Sequence, residues 1–314
     1  MADLNKDLPR DVFIETIYEE AKRNPNLIFL CCDLGAKALD EFRVKLPKQF
    51  IHTGISEQHM MDLAAGLSQC GKLVYAYAMA PFSTFRCFEQ IKVALGAMKQ
   101  PVTVIGVGVG FGYDDAGPTH YAIEDLACMR TIAGMEVHTP ADNTCVAELA
   151  KLTYTKPKLR YVRLDRKMLG GLYLDRSDFK IEDGLIETVA GKDIAILSSG
   201  FPLHTALKVR EKFKAEGLEI GIIDVFRLKP MNAAKLVQIT SKYKKLITLE
   251  EHFLNGGFGS AILEALNDAG HARQITRLGV GDDYYFENGG RKNLHKLAKI
   301  DEAGVIASIS QIAK

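Results

Sequence analysis

The chain has 314 residues, of which 47% are hydrophobic and 25% charged, and its formal net charge is +1. That length allows two domains of ordinary size, and the near-neutral charge argues against disorder and against nucleic acid as a partner. The N-terminal residues lack the order of a signal peptide, and no segment is apolar over the roughly 18 residues of a membrane span, which predicts a cytoplasmic protein without membrane contact.

The six cysteines show no Cys-x-x-Cys spacing, and they lie in apolar segments. That pattern favours reduced thiols in the core over disulfides or a zinc site. They are Cys31, Cys32, Cys70, Cys87, Cys128 and Cys145.

The first part of the chain alternates helical and strand patterns. Charged and apolar residues recur at helical spacing over residues 11–22, and Asn24-Pro25 ends that helix. A continuous apolar run at 27–31 is typical of a buried parallel strand. Further strands are predicted at 50–52, 73–76, 102–106 and 159–164, and a helix ending at Tyr154 has Thr139 or Asp142 as its candidate cap.

The segment Gly54-Ile55-Ser56-Glu57-Gln58-His59-Met60 opens an otherwise apolar helix with an acid and a histidine. Glu57 is either a first-turn carboxylate stabilised by the helix dipole and free N–H groups, or a partly buried carboxyl that shares a proton with a ligand nitrogen. Its position just past the carboxyl end of a strand is the usual one for ligand-binding groups in an open α/β sheet.

Phe82, Phe85 and Phe88 follow the strand at 73–76 and recur at every third residue, which predicts an aromatic stripe on a helix beginning near Pro81. Such a stripe belongs to the core more often than to a cofactor pocket. Because it follows a strand end, one or two rings could also line a pocket for a flat heterocycle.

Residues 108–120 are rich in glycine, which lets the backbone approach a ligand closely. No G-x-G-x-x-G opens a helix here, so a Rossmann nucleotide site is disfavoured. His120 ends this loop, a position that favours a polar function, and a structural histidine is the alternative. Arg166 follows the strand at 159–164 and suits a phosphate or carboxylate, and a surface cation is the alternative.

Residues 169–192 interrupt the alternation and are predicted to be a linker, after which a second, smaller α/β unit begins. Its predicted strands lie at 194–200, 220–224 and 246–250, and its predicted helices at 202–214, 231–241 and 257–268. The predicted fold class is therefore α/β, with two doubly wound, mostly parallel sheet domains at 1–185 and 186–314.

Several motifs in this order resemble the C-terminal half of transketolase and its relative 1-deoxyxylulose-5-phosphate synthase, over nearly the whole chain. The resemblance implies a pyrimidine-binding domain followed by a transketolase C-terminal domain. The motifs are GISEQHM at 54–60, the three phenylalanines, GPTH at 117–120, TPAD at 139–142 and RLDR at 163–166.

The resemblance also implies a cofactor, thiamine diphosphate, which loses a proton from its thiazolium C2 once a carboxyl group bonds its pyrimidine N1′. Glu57 matches that catalytic carboxyl group, and Phe85 matches the ring that stacks on the pyrimidine. Phe82 and Phe88 complete the implied pocket.

The implied substrates are sugar phosphates, between which a two-carbon ketol unit is transferred. His120 matches a catalytic histidine that bonds the sugar oxygens, and Arg166 matches the arginine that holds the phosphate. Asp115 is a further candidate for substrate binding, although the family places an Asp directly before GPTH where this chain has Ala116. The preferred donor is left open by that difference.

The sequence has no Gly-Asp-Gly with a downstream asparagine to hold Mg²⁺ and the diphosphate, and Gly281-Asp282-Asp283 is only superficially similar. No metal ligand is therefore assigned to this chain. The resemblance implies one subunit of a split transketolase, paired with an N-terminal subunit that holds Mg²⁺ and the diphosphate, as an α2β2 heterotetramer. The alternatives are the β subunit of a 2-oxoacid dehydrogenase E1 component, an enzyme like 1-deoxyxylulose-5-phosphate synthase, and a non-catalytic dimerisation module.

Overall fold

The computed structural model describes Leu4 and residues 7–313 of the chain, the last of these without its side chain. Helices alternate with strands over this range. The helices are α1 (Pro9–Ala21), α2 (Lys37–Lys45), α3 (Glu57–Gln69), α4 (Ala80–Thr84), α5 (Phe88–Gln90), α6 (Asp125–Thr131), α7 (Asn143–Thr155), α8 (Pro202–Ala215), α9 (Ala233–Thr240), α10 (Phe258–Asp268), α11 (Gly290–Leu297) and α12 (Glu302–Ala313).

The strands form two sheets, each covered by helices. They are β1 (Leu27–Cys32), β2 (Phe50–Gly54), β3 (Leu73–Met79), β4 (Thr103–Val107), β5 (Glu136–His138), β6 (Arg160–Leu164), β7 (Ile186–Val189), β8 (Ile194–Ser198), β9 (Ile220–Asp224), β10 (Arg227–Lys229), β11 (Lys245–Phe253) and β12 (Ile275–Val280). The first sheet has the order β10-β5-β6-β4-β3-β1-β2 and the second the order β12-β11-β8-β9-β7. Of these described strands, only β10 and β7 run antiparallel to their neighbours, so the predicted mostly parallel α/β fold is confirmed.

Strand β1 of the first sheet forms where the sequence is continuously apolar. All six residues of β1 are buried, as a parallel strand covered by helices on both faces requires. Helix α7 begins after Asp142, whose side chain accepts a hydrogen bond from the N–H of Cys145 at 2.7 Å. Of the two candidate caps, Asp142 is therefore the one that the structure uses.

Two local predictions need correction. The helix near Pro81 does begin at Ala80, but it changes pitch to a 3₁₀ turn at Phe85–Cys87 and to a π-helix at Ile91–Ala97. The phenylalanines therefore do not form one regular α-helical stripe. Part of the predicted linker is ordered, since β7 pairs with β9 and Tyr173 donates a hydrogen bond to Asp224 at 2.7 Å.

The cysteine prediction is partly wrong. All six thiols are free, and Cys31, Cys32, Cys87 and Cys145 are buried as expected. The side chain of Cys70 is exposed at the C-terminal end of α3, and Cys128 is half-buried.

The core is shared between the two sheets. One apolar cluster joins Val104 of the first sheet to Leu197 of the second and to Ile262 of α10, all three fully buried. Burial of this apolar surface stabilises the contact between the two units. Among the described residues, none of the helices has the length and apolar character that crossing a bilayer demands.

Candidate active site

Glu57 is both the first residue of a helix and a buried carboxylate. Strand β2 ends at Gly54, whose φ of 71° turns the chain into α3. The side chain of Glu57 is 5% exposed, and its Oε2 accepts a hydrogen bond from Nη1 of Arg86 at 2.7 Å. The helix N-terminus of the first interpretation and the burial of the second are both present, whereas the sharing of a proton with a ligand nitrogen stays a prediction.

A cavity of about 200 Å³ opens beside Glu57. Phe82 and Arg86 form part of its wall, and the Arg86 guanidinium carbon lies 4.0 Å from the centroid of the Phe82 ring. The remaining lining residues are Cys32, Asp33, Leu34, Ile55, Ala78 and Met79. An acid and an aromatic ring on a largely apolar wall suit a flat nitrogen heterocycle.

The other two phenylalanines lie elsewhere. Phe85 is half-buried in the 3₁₀ turn and is not among the described residues that line this cavity. Phe88 packs against the core and contributes to a separate cavity with Ile132. The structure thus brings Phe82 to Glu57, whereas the assigned contacts of Phe85 and Phe88 stay predictions.

His120 lies beside Phe82, which connects it to the cavity. The two ring centroids are 5.3 Å apart in an edge-on arrangement, and the hydroxyl of Thr119 is 2.9 Å from Nδ1 of the imidazole. Tyr113 of the same loop is 6.2 Å from His120, centroid to centroid. The glycine-rich loop therefore carries a polar ring to the edge of the cavity.

Arg166 continues this surface beyond Tyr113. Its guanidinium carbon lies 4.3 Å from the centroid of the Tyr113 ring, and its Nη1 is 3.5 Å from Oδ1 of Asp115. About a third of the Arg166 side chain is exposed, so its remaining N–H groups are available to an anion. Burial raises the pKa of Tyr113 above its usual value, so this phenol stays neutral beside the arginine.

The sheet explains why these residues meet. Glu57 follows β2, Phe82 follows β3, the loop of Tyr113 and His120 follows β4, and Arg166 follows β6. These strands are parallel and lie within one run of the sheet, so their carboxyl ends share an edge. Functional side chains collect at this edge in open α/β sheets.

Two residues of this surface are not predicted by the sequence pattern. Arg86 lies within a segment dominated by its aromatic spacing, although a cation directly after Phe85 is a visible signal. Tyr113 lies in a glycine-rich loop, where no regular spacing distinguishes it. Neither the pairing of Arg86 with Glu57 nor the stacking of Arg166 on Tyr113 follows from local spacing.

The residues around Glu57 suit the ring end of thiamine diphosphate. The buried acid, the ring of Phe82 and the apolar wall match an aminopyrimidine. Within the described part of the chain, no group of three or more His, Cys, Asp or Glu side chains is placed to hold a metal ion.

Comparison with known families agrees with the fold. The family described as "Transketolase, pyrimidine binding domain" matches residues 9–171, and "Transketolase, C-terminal domain" matches residues 184–305. The match to the first domain alone covers about half of the chain.

Several curated proteins are similar over most of the chain. One of the subunits of the "Apulose-4-phosphate transketolase" of Phocaeicola vulgatus is 28% identical over 310 residues, which cover 97% of each protein. The "1-deoxy-D-xylulose-5-phosphate synthase" of Syntrophus aciditrophicus is 34% identical over 95% of this chain, but the match spans only 46% of that longer protein.

Solved structures give the same result. A chain described as "Split gene transketolase, inactive beta4 tetramer" superposes with a TM-score of 0.85 at 29% identity, over 97% of both chains. A transketolase of Campylobacter jejuni shares the fold, with a TM-score of 0.82 at 18% identity over 48% of its length. The chain belongs to the transketolase family, of which it carries the pyrimidine-binding and C-terminal domains.

Proposed function

We propose that this chain is the C-terminal subunit of a split transketolase, which transfers a two-carbon ketol unit between sugar phosphates together with a separate N-terminal subunit. The observation that carries the proposal is the cavity beside Glu57, where a buried carboxylate and the ring of Phe82 meet. Ring contacts connect this cavity through His120 to Arg166 along one edge of the sheet. A relative that matches the chain over nearly its full length is itself one subunit of a transketolase, which supports the division into two chains.

The cofactor end of the site is assigned to Glu57 and the phenylalanines. When bound, thiamine diphosphate supplies the carbon nucleophile that takes up the ketol unit. Glu57 would hold the pyrimidine nitrogen through a hydrogen bond in which a proton is shared, and Nη1 of Arg86 donates to Oε2 of the same side chain. Phe82 forms the wall of the pocket, while Phe85 and Phe88 are proposed to complete it.

The substrate end is assigned to His120, Asp115 and Arg166. Arg166 anchors the sugar phosphate because its planar guanidinium can donate two parallel hydrogen bonds to phosphate oxygens. In this series of contacts His120 lies between Arg166 and the cavity. It can therefore hydrogen-bond the sugar oxygens that lie between the phosphate and the reacting carbon. Asp115 is paired with Arg166 and is proposed to contact the sugar as well.

A partner completes the site. The proposed N-terminal subunit holds Mg²⁺ and the diphosphate, and the two kinds of chain form an α2β2 heterotetramer. A related chain of similar length is described as an inactive tetramer of β chains, which supports the need for a second kind of chain. Ile55, which lines the cavity and is 74% exposed, is proposed to contact that partner.

Reconstitution tests the proposal. The chain mixed with its N-terminal partner, thiamine diphosphate and Mg²⁺ should transfer ketol units from a ketose phosphate, and the chain alone should not. Glu57→Gln should lower kcat by roughly 100-fold or more, since the amide cannot share the proton. Glu89→Gln, which changes an exposed acid three residues after Arg86, is the matched control.

Two results would contradict the proposal. Robust turnover by the isolated chain would refute the need for a partner. Activity that survives Glu57→Gln would refute the role given to this acid.

The second candidate is an activity like that of 1-deoxyxylulose-5-phosphate synthase, which the 34% identity to that enzyme favours. The two candidates differ in their donors. If the assembled complex is a transketolase, it should use a ketose phosphate as its donor, and a reaction that runs only with a 2-oxoacid donor would favour the second candidate.

A further inference from the structure

A buried ionic cluster joins the two domains behind the substrate end of the site. At its centre is Arg291 of α11, whose side chain is 5% exposed. Its Nη1 and Nη2 donate to the two carboxylate oxygens of Asp165 at 2.9 and 2.7 Å. Its Nε also donates to Oε1 of Glu251 at 2.7 Å, and Glu251 in turn bonds His295.

The side chains of this cluster are charged and are paired with one another. Burial alone would raise the pKa of Glu251, but Arg291 and His295 beside it bring the pKa down to about 2. Arg291 also lies over the ring of Phe201, with its guanidinium carbon 3.9 Å from the centroid. A buried arginine that satisfies two carboxylates can move little, because each displaced hydrogen bond leaves an unpaired charge.

The contacts of Arg291 reach the segment that carries Arg166. Oδ1 of Asp165 accepts from Arg291 and also from the backbone N–H of Lys167 at 2.8 Å. This second bond closes a turn around Arg166, which lies between the two residues. By clamping the Asp165 carboxylate, Arg291 sets the orientation of that turn.

A second contact reaches the segment that carries Asp115. The backbone N–H of Arg291 donates to Oδ2 of Asp114 at 3.0 Å, and the ammonium group of Lys167 lies 3.6 Å from the same oxygen. One residue of the second domain therefore holds both Asp114 and Asp165. Their chain neighbours Asp115 and Arg166 are the two ends of the ion pair on the substrate surface.

We propose that Arg291 is a positioning residue of the second domain that aligns Arg166 and Asp115 for the phosphate end of the substrate. This inference rests on the proposed function, because that function assigns the phosphate to Arg166. Arg291 does not touch the substrate. It acts through the carboxylates of Asp165 and Asp114.

Steady-state kinetics of the assembled enzyme test the proposal. Arg291→Lys keeps the charge but cannot bridge both carboxylates with the same geometry. It should raise KM for the sugar phosphate about tenfold, with a smaller change in kcat, because small misplacements of binding groups have large effects. The affinity for thiamine diphosphate, measured by calorimetry, should stay within about twofold of the wild-type value.

Two further variants separate positioning from general stability. Asp114→Ala removes only the contact to the Arg291 backbone and the ion pair with Lys167, and it should also raise KM. Arg277→Met is the matched control, since Arg277 donates to Leu254 and Ser260 within its own domain. It should leave KM unchanged even if it lowers Tm.

Measuring phosphate binding by the chain itself tests the inference without relying on enzymatic turnover. Titration with inorganic phosphate, followed by phosphorus NMR, should show weaker binding in Arg291→Lys and Arg166→Met than in the wild type. If the wild-type mixture fails to transfer ketol units while this difference persists, the proposed function is contradicted and the positioning role stands. The inference is overturned if the wild type binds no phosphate, or if Arg291→Lys and Asp114→Ala match the wild type in KM and phosphate affinity.

Discussion

His252, the next-to-last residue of β11, is fully buried where the second domain meets α6. Its Nδ1 lies 2.7 Å from the carbonyl oxygen of Phe253, and its Nε2 accepts from the backbone N–H of Ala127 at 3.3 Å. These partners require the neutral imidazole with its proton on Nδ1. Burial agrees with this state, because it lowers the pKa of His252 from 6.5 to about 4.

The sign of the linkage predicts lower stability in mild acid. Between about pH 6.5 and pH 4 the unfolded chain binds a proton at residue 252 that the folded chain does not. The stabilisation is therefore complete above pH 6.5 and is lost as the pH falls towards 4, by up to about 3 kcal/mol. In urea unfolding, His252→Gln should show a shallower fall in the free energy of unfolding over this window than the wild type.

The matched control for this measurement is His59→Gln, which replaces an exposed histidine of α3. Its free energy of unfolding should follow the wild-type pH dependence. Equal slopes for His252→Gln and the wild type would show that His252 is not the buried neutral base described here.

At the scale of an element, the loop after β4 is shaped by its approach to the second domain. Gly110 has a φ of 59° and exchanges two backbone hydrogen bonds of 2.9 Å with Ala122. A Cβ atom at this position would lie 2.0 Å from Oε2 of Glu251. The loop that carries Tyr113 and His120 can therefore pack against the ionic cluster only with glycine at residue 110.

Gly110→Ala and Gly134→Ala form a matched pair. Gly134 also has a positive φ, of 75°, but nothing lies within 4 Å of an added Cβ. Gly134→Ala should cost about 1–2 kcal/mol of stability from the backbone conformation alone. Gly110→Ala should cost at least ~2 kcal/mol more, because Arg291 and His295 prevent Glu251 from moving aside. Urea denaturation measures both values, and equal losses would contradict the steric argument.

At the scale of the whole molecule, one strand that follows the second sheet in the chain belongs to the first sheet. Strand β10 follows β9 of the second sheet in the chain, yet it pairs antiparallel with β5 at the edge of the first sheet. The shared apolar cluster and the Arg291–Asp165 ion pair add to this contact. We therefore expect the two domains to unfold together.

A fragment that consists of the proposed first domain, residues 1–185, can be used to test this expectation. Without β10 it presents the edge of β5 and the apolar surface that faced the second domain, both of which promote aggregation. The fragment should aggregate or melt well below the full chain, which should unfold in a single calorimetric transition. A monomeric fragment with the Tm of the full chain would contradict this coupling.

Local pattern was enough to predict most of the fold. Apolar runs located most of the buried strands, and helical spacing located several of the helices between them, because both periodicities reflect backbone geometry within a few residues. Strand β12 and helices α2, α11 and α12 were not predicted. The placement of Glu57, His120 and Arg166 at strand ends was also predictable, since parallel strands bring their carboxyl ends to one edge. The resemblance to transketolase, carried by short motifs, was confirmed by the family matches.

Which side chains contact each other was decided by the tertiary structure alone. Arg86 meets Glu57 across 29 residues of sequence, and Arg291 meets Asp165 across 126. The change of helical pitch after Thr84 separated Phe88 from Phe82, although their spacing predicted a common face. Spacing along the chain determines which face of a helix or strand a residue occupies. The packing of whole elements determines which residue of another element lies opposite that face, and this packing depends on contacts distant in sequence.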